Sequence, residues 1–206
     1  MTPHNETAGP PLVLASSSAP RRMILENAGL TFVTEPARVD EEQVRDSLEA
    51  EGASTPQMAE TLAELKAQKV SRRHPGALVI GADQMLDCEG RRFDKPRDMA
   101  EAKRHLQALS GKRHSLISAA CVVRDGGRIW HSTTRAELTV RPLGDAFIEA
   151  YLAAIGQKAL DSVGVYQLEG LGAQLFSRIE GDYFTILGLP LLPLLDLLRA
   201  HRVIGT

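Results

Sequence analysis

Ala77-Leu78-Val79-Ile80 is a continuous apolar run, the pattern of a strand buried on both faces, and it leads into Gly81, Ala82 and a carboxylate, Asp83. Open α/β sheets place their chemistry at the carboxyl ends of their strands, so this stretch predicts a strand that ends on a reactive acid. Glu89-Gly90 then reads as a hairpin turn, with Arg91 to Lys95 returning. If those two are the loop residues, Cys88 faces Arg91, Asp83 is level with Pro96, and Lys95 lies one step away on the neighbouring strand. Two readings are open for this acid and ammonium: a site for an anionic substrate attacked by water, or a structural ion pair on a hairpin.

The same patterning carries along the rest of the chain. Leu12 to Ala15 is a short buried strand, and Met23 to Ala28 a helix with Pro20 in its first turn and Gly29 past its end. Thr31 to Glu35 predicts a second strand. Val39-Asp40-Glu41-Glu42 opens an acidic helix to about Ala50. Thr55-Pro56 starts a longer helix to Val70, whose apolar stripe is Met58, Leu62 and Leu65. Lys66 falls at the edge of that stripe, where a lysine either snorkels to water or points into a cleft. Asp98 to Glu101 resembles a capping box before a helix faced by Met99, Ala102, Leu106 and Leu109. Ser115–Val123 and Arg128–Val140 form a second hairpin, and Asp145 caps a helix ended by Gly156. Residues 161–172 are too rich in glycine for an interior helix or strand. Gln174–Glu180 is a last strand, Gly181–Pro190 a loop, and Leu191–Ala200 a nearly all-apolar helix, expected to be buried in the core or at a subunit interface.

Composition narrows the function classes. A chain of 206 residues can bury one sizeable core; residues 1–11 read as a polar, flexible leader and 12–206 as a single domain. An apolar fraction of 43% with 24% charged residues is ordinary globular composition. The net charge of −2 gives no general field for nucleic acid, so any phosphate binding must come from a local cluster. Cys88 and Cys121 fit no metal or redox spacing, and the six histidines offer no pair at helical ligand spacing. No signal peptide is visible, and the apolar stretch Ile186–Leu198 is broken by Pro190, Pro193 and Asp196. A soluble cytoplasmic protein without membrane or nucleic-acid partners is the expectation.

Local chemistry does appear at Ser16-Ser17-Ser18-Ala19-Pro20-Arg21-Arg22. A strand, a hydroxyl loop and a helix start present backbone N–H groups and a positive dipole end to an anion. Two arginines make this a phosphate cradle or, on the plainer reading, a serine-rich turn with solvated cations. The P-loop spacing is absent.

Several motifs occur in order: Leu14-Ala15-Ser16-x-Ser18-x-x-Arg21-Arg22, Asp40-Glu41, Leu62-Ala63-x-x-Lys66-Ala67, Gly81-Ala82-Asp83-Gln84, Lys95-Pro96, Ser110-Gly111, Glu169-Gly170-Leu171-Gly172, and Ile179-Glu180-Gly181-Asp182-Tyr183 through Gly188-Leu189-Pro190. Together they resemble the Maf family of nucleoside triphosphate pyrophosphatases, over Leu12 to about Leu198. The resemblance implies an α/β fold akin to the inosine-triphosphate pyrophosphatases: a mixed twisted sheet with flanking helices and a deep cleft between two lobes. It also implies a divalent metal, magnesium or manganese, a homodimer, and hydrolysis of a nucleoside triphosphate to the monophosphate and pyrophosphate.

Carried over by position, Asp83 is the proton acceptor, Ser16, Arg21, Arg22, Lys66 and Lys95 hold the triphosphate, and Glu41 assists metal or phosphate placement. Asp83 and Glu41 are the candidate metal ligands. Whether Asp83 is a base or a ligand stays open, since a carboxylate is a poor base at neutral pH unless its pKa is raised. Among the specificity positions, Gln84 and Glu169 resemble the branch acting on 7-methyl-GTP, as does the arginine pair. Pro20 matches neither branch, and Gly181-Asp182-Tyr183-Phe184 resembles the dTTP/UTP type. The resemblance thus points to a modified purine nucleotide. The alternatives are dTTP/UTP, or a nucleotide-sensing division regulator without catalysis.

Overall fold

The structure, a computed structural model, describes residues 9–205. Its strands are β1 (Leu12–Leu14), β2 (Val33–Thr34), β3 (Leu78–Cys88), β4 (Arg91–Phe93), β5 (Arg113–Arg124), β6 (Gly127–Val140) and β7 (Phe176–Glu180). The helices are α1 (Ala19–Asn27), α2 (Glu41–Ala50), α3 (Thr55–Ser71), α4 (Met99–Leu109), α5 (Asp145–Ile155), α6 (Tyr183–Ile186) and α7 (Leu191–Ala200). The expected mixed sheet forms in the order β2-β1-β3-β5-β6-β7, with β4 bonded to β3. β1 is parallel to β2 and β3, whereas β4 on β3 and β7 on β6 are antiparallel. The chain divides into two compact units. The first holds residues up to Asp83, Ala119–Thr133 and the chain from Gly188; the second holds Gln84–Ser118 and Thr134–Leu187.

In the first unit, β1 is wholly buried and pairs Leu12 with Leu78 and Leu14 with Ile80. The Pro11 carbonyl accepts from the Leu78 N–H at 2.8 Å, so pairing begins just ahead of β1; residues 1–8 of the expected leader lie outside the described residues. The second strand is shorter than the expected Thr31–Glu35, leaving only Val33 and Thr34 on the sheet. α1 starts at Ser18, whose side chain accepts from the Arg21 N–H, and Gly29 follows the helix at φ 76°. A positive φ there suits glycine, which has no Cβ to clash. α7 is one-sided rather than buried all round: Leu191, Leu194 and Leu198 are buried, but Leu192 is 57% exposed. With so few polar residues marking the outer face, the sequence conceals the stripe.

The second unit has its own core, including Leu86, Phe93, Leu106, Leu116, Leu138 and Ile148. α4 begins as expected: Asp98 Oδ1 accepts from the Glu101 N–H at 2.7 Å, and Glu101 Oε2 accepts from the Arg97 N–H at 2.8 Å. The β3–β4 turn also forms as expected, with Cys88 opposite Arg91, but the ladder ends at Leu86 opposite Phe93 and never extends to Pro96. Asp94 and Lys95 are exposed, and proline has no N–H with which to continue a ladder. Two further expectations are corrected. Gly144, not Asp145, precedes α5, and Asp145 Oδ1 instead accepts from Gln107 Nε2 at 2.9 Å. The expected loop Gly181–Pro190 contains the single turn α6, whose first amides are capped because Asp182 Oδ2 accepts from the Thr185 N–H at 2.8 Å.

His114 is a titratable weak point of this second core. It is 1% exposed, its Nε2 lies 2.7 Å from the Tyr166 hydroxyl, and its ring meets Tyr166 and Phe176. Burial pushes its pKa down to about 4. The unfolded chain therefore binds the proton first as pH falls, and stability present above pH ~6.5 is lost on descending towards pH 4. A drop from 6.5 to about 4 corresponds to about 3 kcal/mol. Urea titrations from pH 7 to 4 are expected to show this fall, and His114→Gln to flatten it. Parallel pH profiles for the two proteins would contradict it.

Candidate functional site

Asp83 does not end its strand as expected: β3 runs on to Cys88 as the first arm of the hairpin, and Asp83 is the last residue of its continuously buried half. α3 packs against that half closely enough to matter. A Cβ placed on Gly81 would lie 2.0 Å from the Ala63 carbonyl oxygen and 2.9 Å from the Ala67 Cβ. Only glycine lets the helix backbone come this near. The contact face of α3 is Met58, Ala59, Leu62, Ala63, Lys66, Ala67 and Val70, built on alanines that a count of large residues overlooks. Leu65, expected on the stripe, is only half-buried. Lys66 consequently sits within the buried face rather than at its edge, and it is 7% exposed.

There the Lys66 ammonium donates to Asp83 Oδ1 at 2.7 Å and pairs with Glu41 Oε1 at 2.9 Å. Glu41 is the first residue of α2, and Asp40 ahead of it caps the helix by accepting from the Gln43 N–H. Arg45, one turn further on, lies 3.6 Å from Glu41. Arg45 is not among the residues expected at the site, although its i,i+4 spacing from Glu41 is a usable sign.

Arg21 completes the cluster. It is 9% exposed, its Nε donates to the Gly188 carbonyl at 2.8 Å, and its NH1 donates to the Ala82 carbonyl at 2.9 Å and to Ser16 Oγ at 3.4 Å. Ser16 Oγ also accepts from the Ser18 N–H at 3.2 Å, which shapes the loop between β1 and α1.

Of the residues expected at the site, the structure thus gathers Ser16, Arg21, Glu41, Lys66 and Asp83. Arg22 does not join them: it is exposed and lies 3.6 Å from Glu26 along the helix surface. Pro20 occupies the first turn of α1, half-exposed. Gln84, Lys95 and Glu169 belong to the second unit. Lys95 is exposed just past β4, and Glu169 is exposed in a turn closed by the Gly170 N–H to the Gln167 carbonyl. Gln84 donates its amide nitrogen to Ser118 Oγ and to the Thr185 and Ile186 carbonyls, each at 3.0 Å.

Burial is the largest influence on the Asp83 carboxyl and pushes its pKa up, against the pull of the Lys66 and Arg21 cations. Burial likewise draws Arg21 down from its ordinary value, opposed by Asp83 and Glu41. A carboxylate so placed is a better proton acceptor near neutral pH than one in water. Beside it stand a hydroxyl loop and two cations, the complement of a phosphate chain.

A family model described as Maf-like protein matches residues 11–201. The chain belongs to the Maf family. The ordered motifs, from the Ser16 loop to Gly188-Leu189-Pro190, resemble that same family. This Maf chain is 56% identical over 189 residues to a protein of Paramagnetospirillum magneticum named nucleoside triphosphate pyrophosphatase, covering 92% of the chain and 97% of the relative. It is 55% identical over 190 residues to a Rhizobium etli protein named 7-methyl-GTP pyrophosphatase, covering 92% and 96%. Among solved structures, a dITP/XTP pyrophosphatase from Mycobacterium abscessus is similar over 64% of this chain and 74% of its own, at 20% identity and a TM-score of 0.40; that likeness is too slight to bear on the site. Among the described residues no helix is long and apolar enough to cross a membrane.

The close approach at Gly81 is expected to be intolerant of a methyl group. Gly81→Ala should destabilise the Maf chain by about 1–3 kcal/mol through overpacking against the α3 backbone, measured by urea unfolding at pH 7. A change below about 0.5 kcal/mol, the usual scatter for neutral surface changes, would show that the helix can give way.

Proposed function

We propose that this Maf protein hydrolyses a nucleoside triphosphate between its α and β phosphates, releasing the monophosphate and pyrophosphate. The observation that carries the reading is Asp83, a 5%-exposed carboxylate in the middle of β3, in contact with Lys66 and beside Arg21. The pyrophosphatase names of relatives at 55–56% identity support it. In the reaction a water oxygen bonds to the α-phosphorus and the bond to the α–β bridging oxygen breaks. Pyrophosphate leaves with that electron pair, and the water proton passes to Asp83. Lys66 and the Ser16 loop meet the phosphate oxygens, so that positioning and charge stabilisation supply most of the acceleration. Lys95, Gln84 and Glu169 enter this reading through the family resemblance alone.

The divalent cation that the resemblance implies fits the donors at hand. Asp83 and Glu41 oxygens converge on one point, the Lys66 ammonium, and magnesium is commonly held by one or two carboxylates together with substrate phosphates. When bound, the cation supplies charge neutralisation on the phosphate oxygens. For the base we propose a methylated guanine, on the strength of relatives named 7-methyl-GTP pyrophosphatase and of Gln84 and Glu169. A homodimer working in the cytoplasm belongs to the same reading.

Pyrophosphate release from 7-methyl-GTP, GTP, dTTP and UTP is the test. Release is expected to be fastest with 7-methyl-GTP, and Asp83→Asn to lower kcat by roughly 10²–10⁴-fold, the range for a lost general base. Undiminished release by Asp83→Asn, or none from any nucleotide, would contradict the reading. The pH profile adds a signed check. The base must be ionised, so kcat/KM falls as pH drops through the raised Asp83 pKa, and the acid limb is expected above the ordinary aspartate value of about 3.9. An acid limb at or below that value would count against Asp83 as the base.

A further inference from the structure

The parallel pairing of β1 with β3 ends in a way that leaves one carbonyl to be served from elsewhere. The last ladder bond runs from the Ala15 N–H to the Ile80 carbonyl at 2.8 Å. At Ser16 the chain turns off into the loop before α1, while β3 continues. The next carbonyl on that side of β3 belongs to Ala82, the residue before Asp83, and a buried carbonyl needs a donor. It takes one from the Arg21 NH1, which also donates to Ser16 Oγ, while Nε of the same group donates to the Gly188 carbonyl. One planar cation thus joins the end of β1, the middle of β3 and the segment entering α7.

We propose that Arg21 is a positioning residue, a staple that fixes the Ser16 loop against the backbone at Asp83, and that its directed donors are not used to grip phosphate. The role rests on the reading of the site as a pyrophosphatase centre. Two of its three guanidinium nitrogens are committed to protein acceptors, and three acceptors in different directions require a rigid fork. A lysine keeps the charge but is a single point on a flexible stem, so it cannot serve Gly188, Ala82 and Ser16 together. A phosphate grip, by contrast, tolerates lysine. The two roles therefore separate in Arg21→Lys.

Positioning predicts that Arg21→Lys lowers kcat for pyrophosphate release by roughly 10–100-fold, the cost of a small misplacement of reacting groups, while KM stays within about threefold of the wild-type value. A raised KM with kcat unchanged, or no change in either, would overturn it. A second measurement needs neither a variant nor turnover: the Arg21 Nε–H signal in ¹⁵N NMR of the wild-type protein, with and without inorganic tripolyphosphate. The staple predicts a slowly exchanging Nε–H whose shift does not move on titration. A fast-exchanging Nε–H, or one that moves as tripolyphosphate binds, would overturn the proposal even if Arg21→Lys fails to fold. If the wild-type protein releases no pyrophosphate from any nucleotide, the functional reading fails, and the Nε–H signal still decides the role of Arg21.

Discussion

The contact between Asp83 and Lys66 takes a carboxylate and an ammonium out of water together, and much of the first unit is arranged to make that possible. Such a pair is weak evidence of stabilisation. The loss of hydration roughly cancels the attraction, and a well-packed apolar pair in the same place is often as stable or more so. Removing only one partner costs about 3–5 kcal/mol, because the other charge is left buried and alone. A chain that keeps the pair therefore tolerates a fragile arrangement, and the reason is found in chemistry rather than in folding. A buried carboxylate with a raised pKa, flanked by cations, is poised to take a proton and to face a polyphosphate.

The supporting features are backbone features. Gly81 lets α3 approach β3 until Lys66 can reach Asp83, and Ala63 and Ala67 keep that approach open. Glu41 enters from the start of α2 and shares the same ammonium. Arg21 returns from α1 to the Ala82 carbonyl within β3. Each charge is thus held by an element whose own geometry is fixed by a cap, a small-residue contact or a ladder bond, so the group is positioned before any ligand arrives. This is the condition under which fixed charges are most effective in catalysis.

Much of this was legible in the sequence, for identifiable reasons. The apolar run leading into Gly81-Ala82-Asp83 marks the buried strand and the acid on it, though not the strand's end, which lies five residues on at Cys88; Pro20 with Gly29 marks the first helix. The Glu89-Gly90 turn set the Cys88–Arg91 register. What escaped was mostly decided by packing. The pattern of large residues runs through Leu65 and so puts Lys66 at the edge of α3; the true face runs through alanines, whose burial that pattern does not weigh. The register read from the Glu89-Gly90 turn runs on to Pro96, past the last residue able to continue the ladder, which ends at Leu86 opposite Phe93. The single turn α6 depends on one aspartate cap inside a segment with turn composition. The fork made by Arg21 joins residues 167 positions apart in the chain, and no local pattern announces such a partner.

The most direct measurement is the ionisation of Asp83 itself, followed through its side-chain ¹³C carboxyl resonance as pH is varied, in the wild-type protein and in Lys66→Met. A buried carboxylate restrained by a neighbouring ammonium predicts a wild-type pKa above the ordinary aspartate value of about 3.9 and a further rise when the ammonium is removed. An ordinary value in the wild-type protein, unchanged in Lys66→Met, would mean that the two groups do not share a buried site, and the account would fail at its centre.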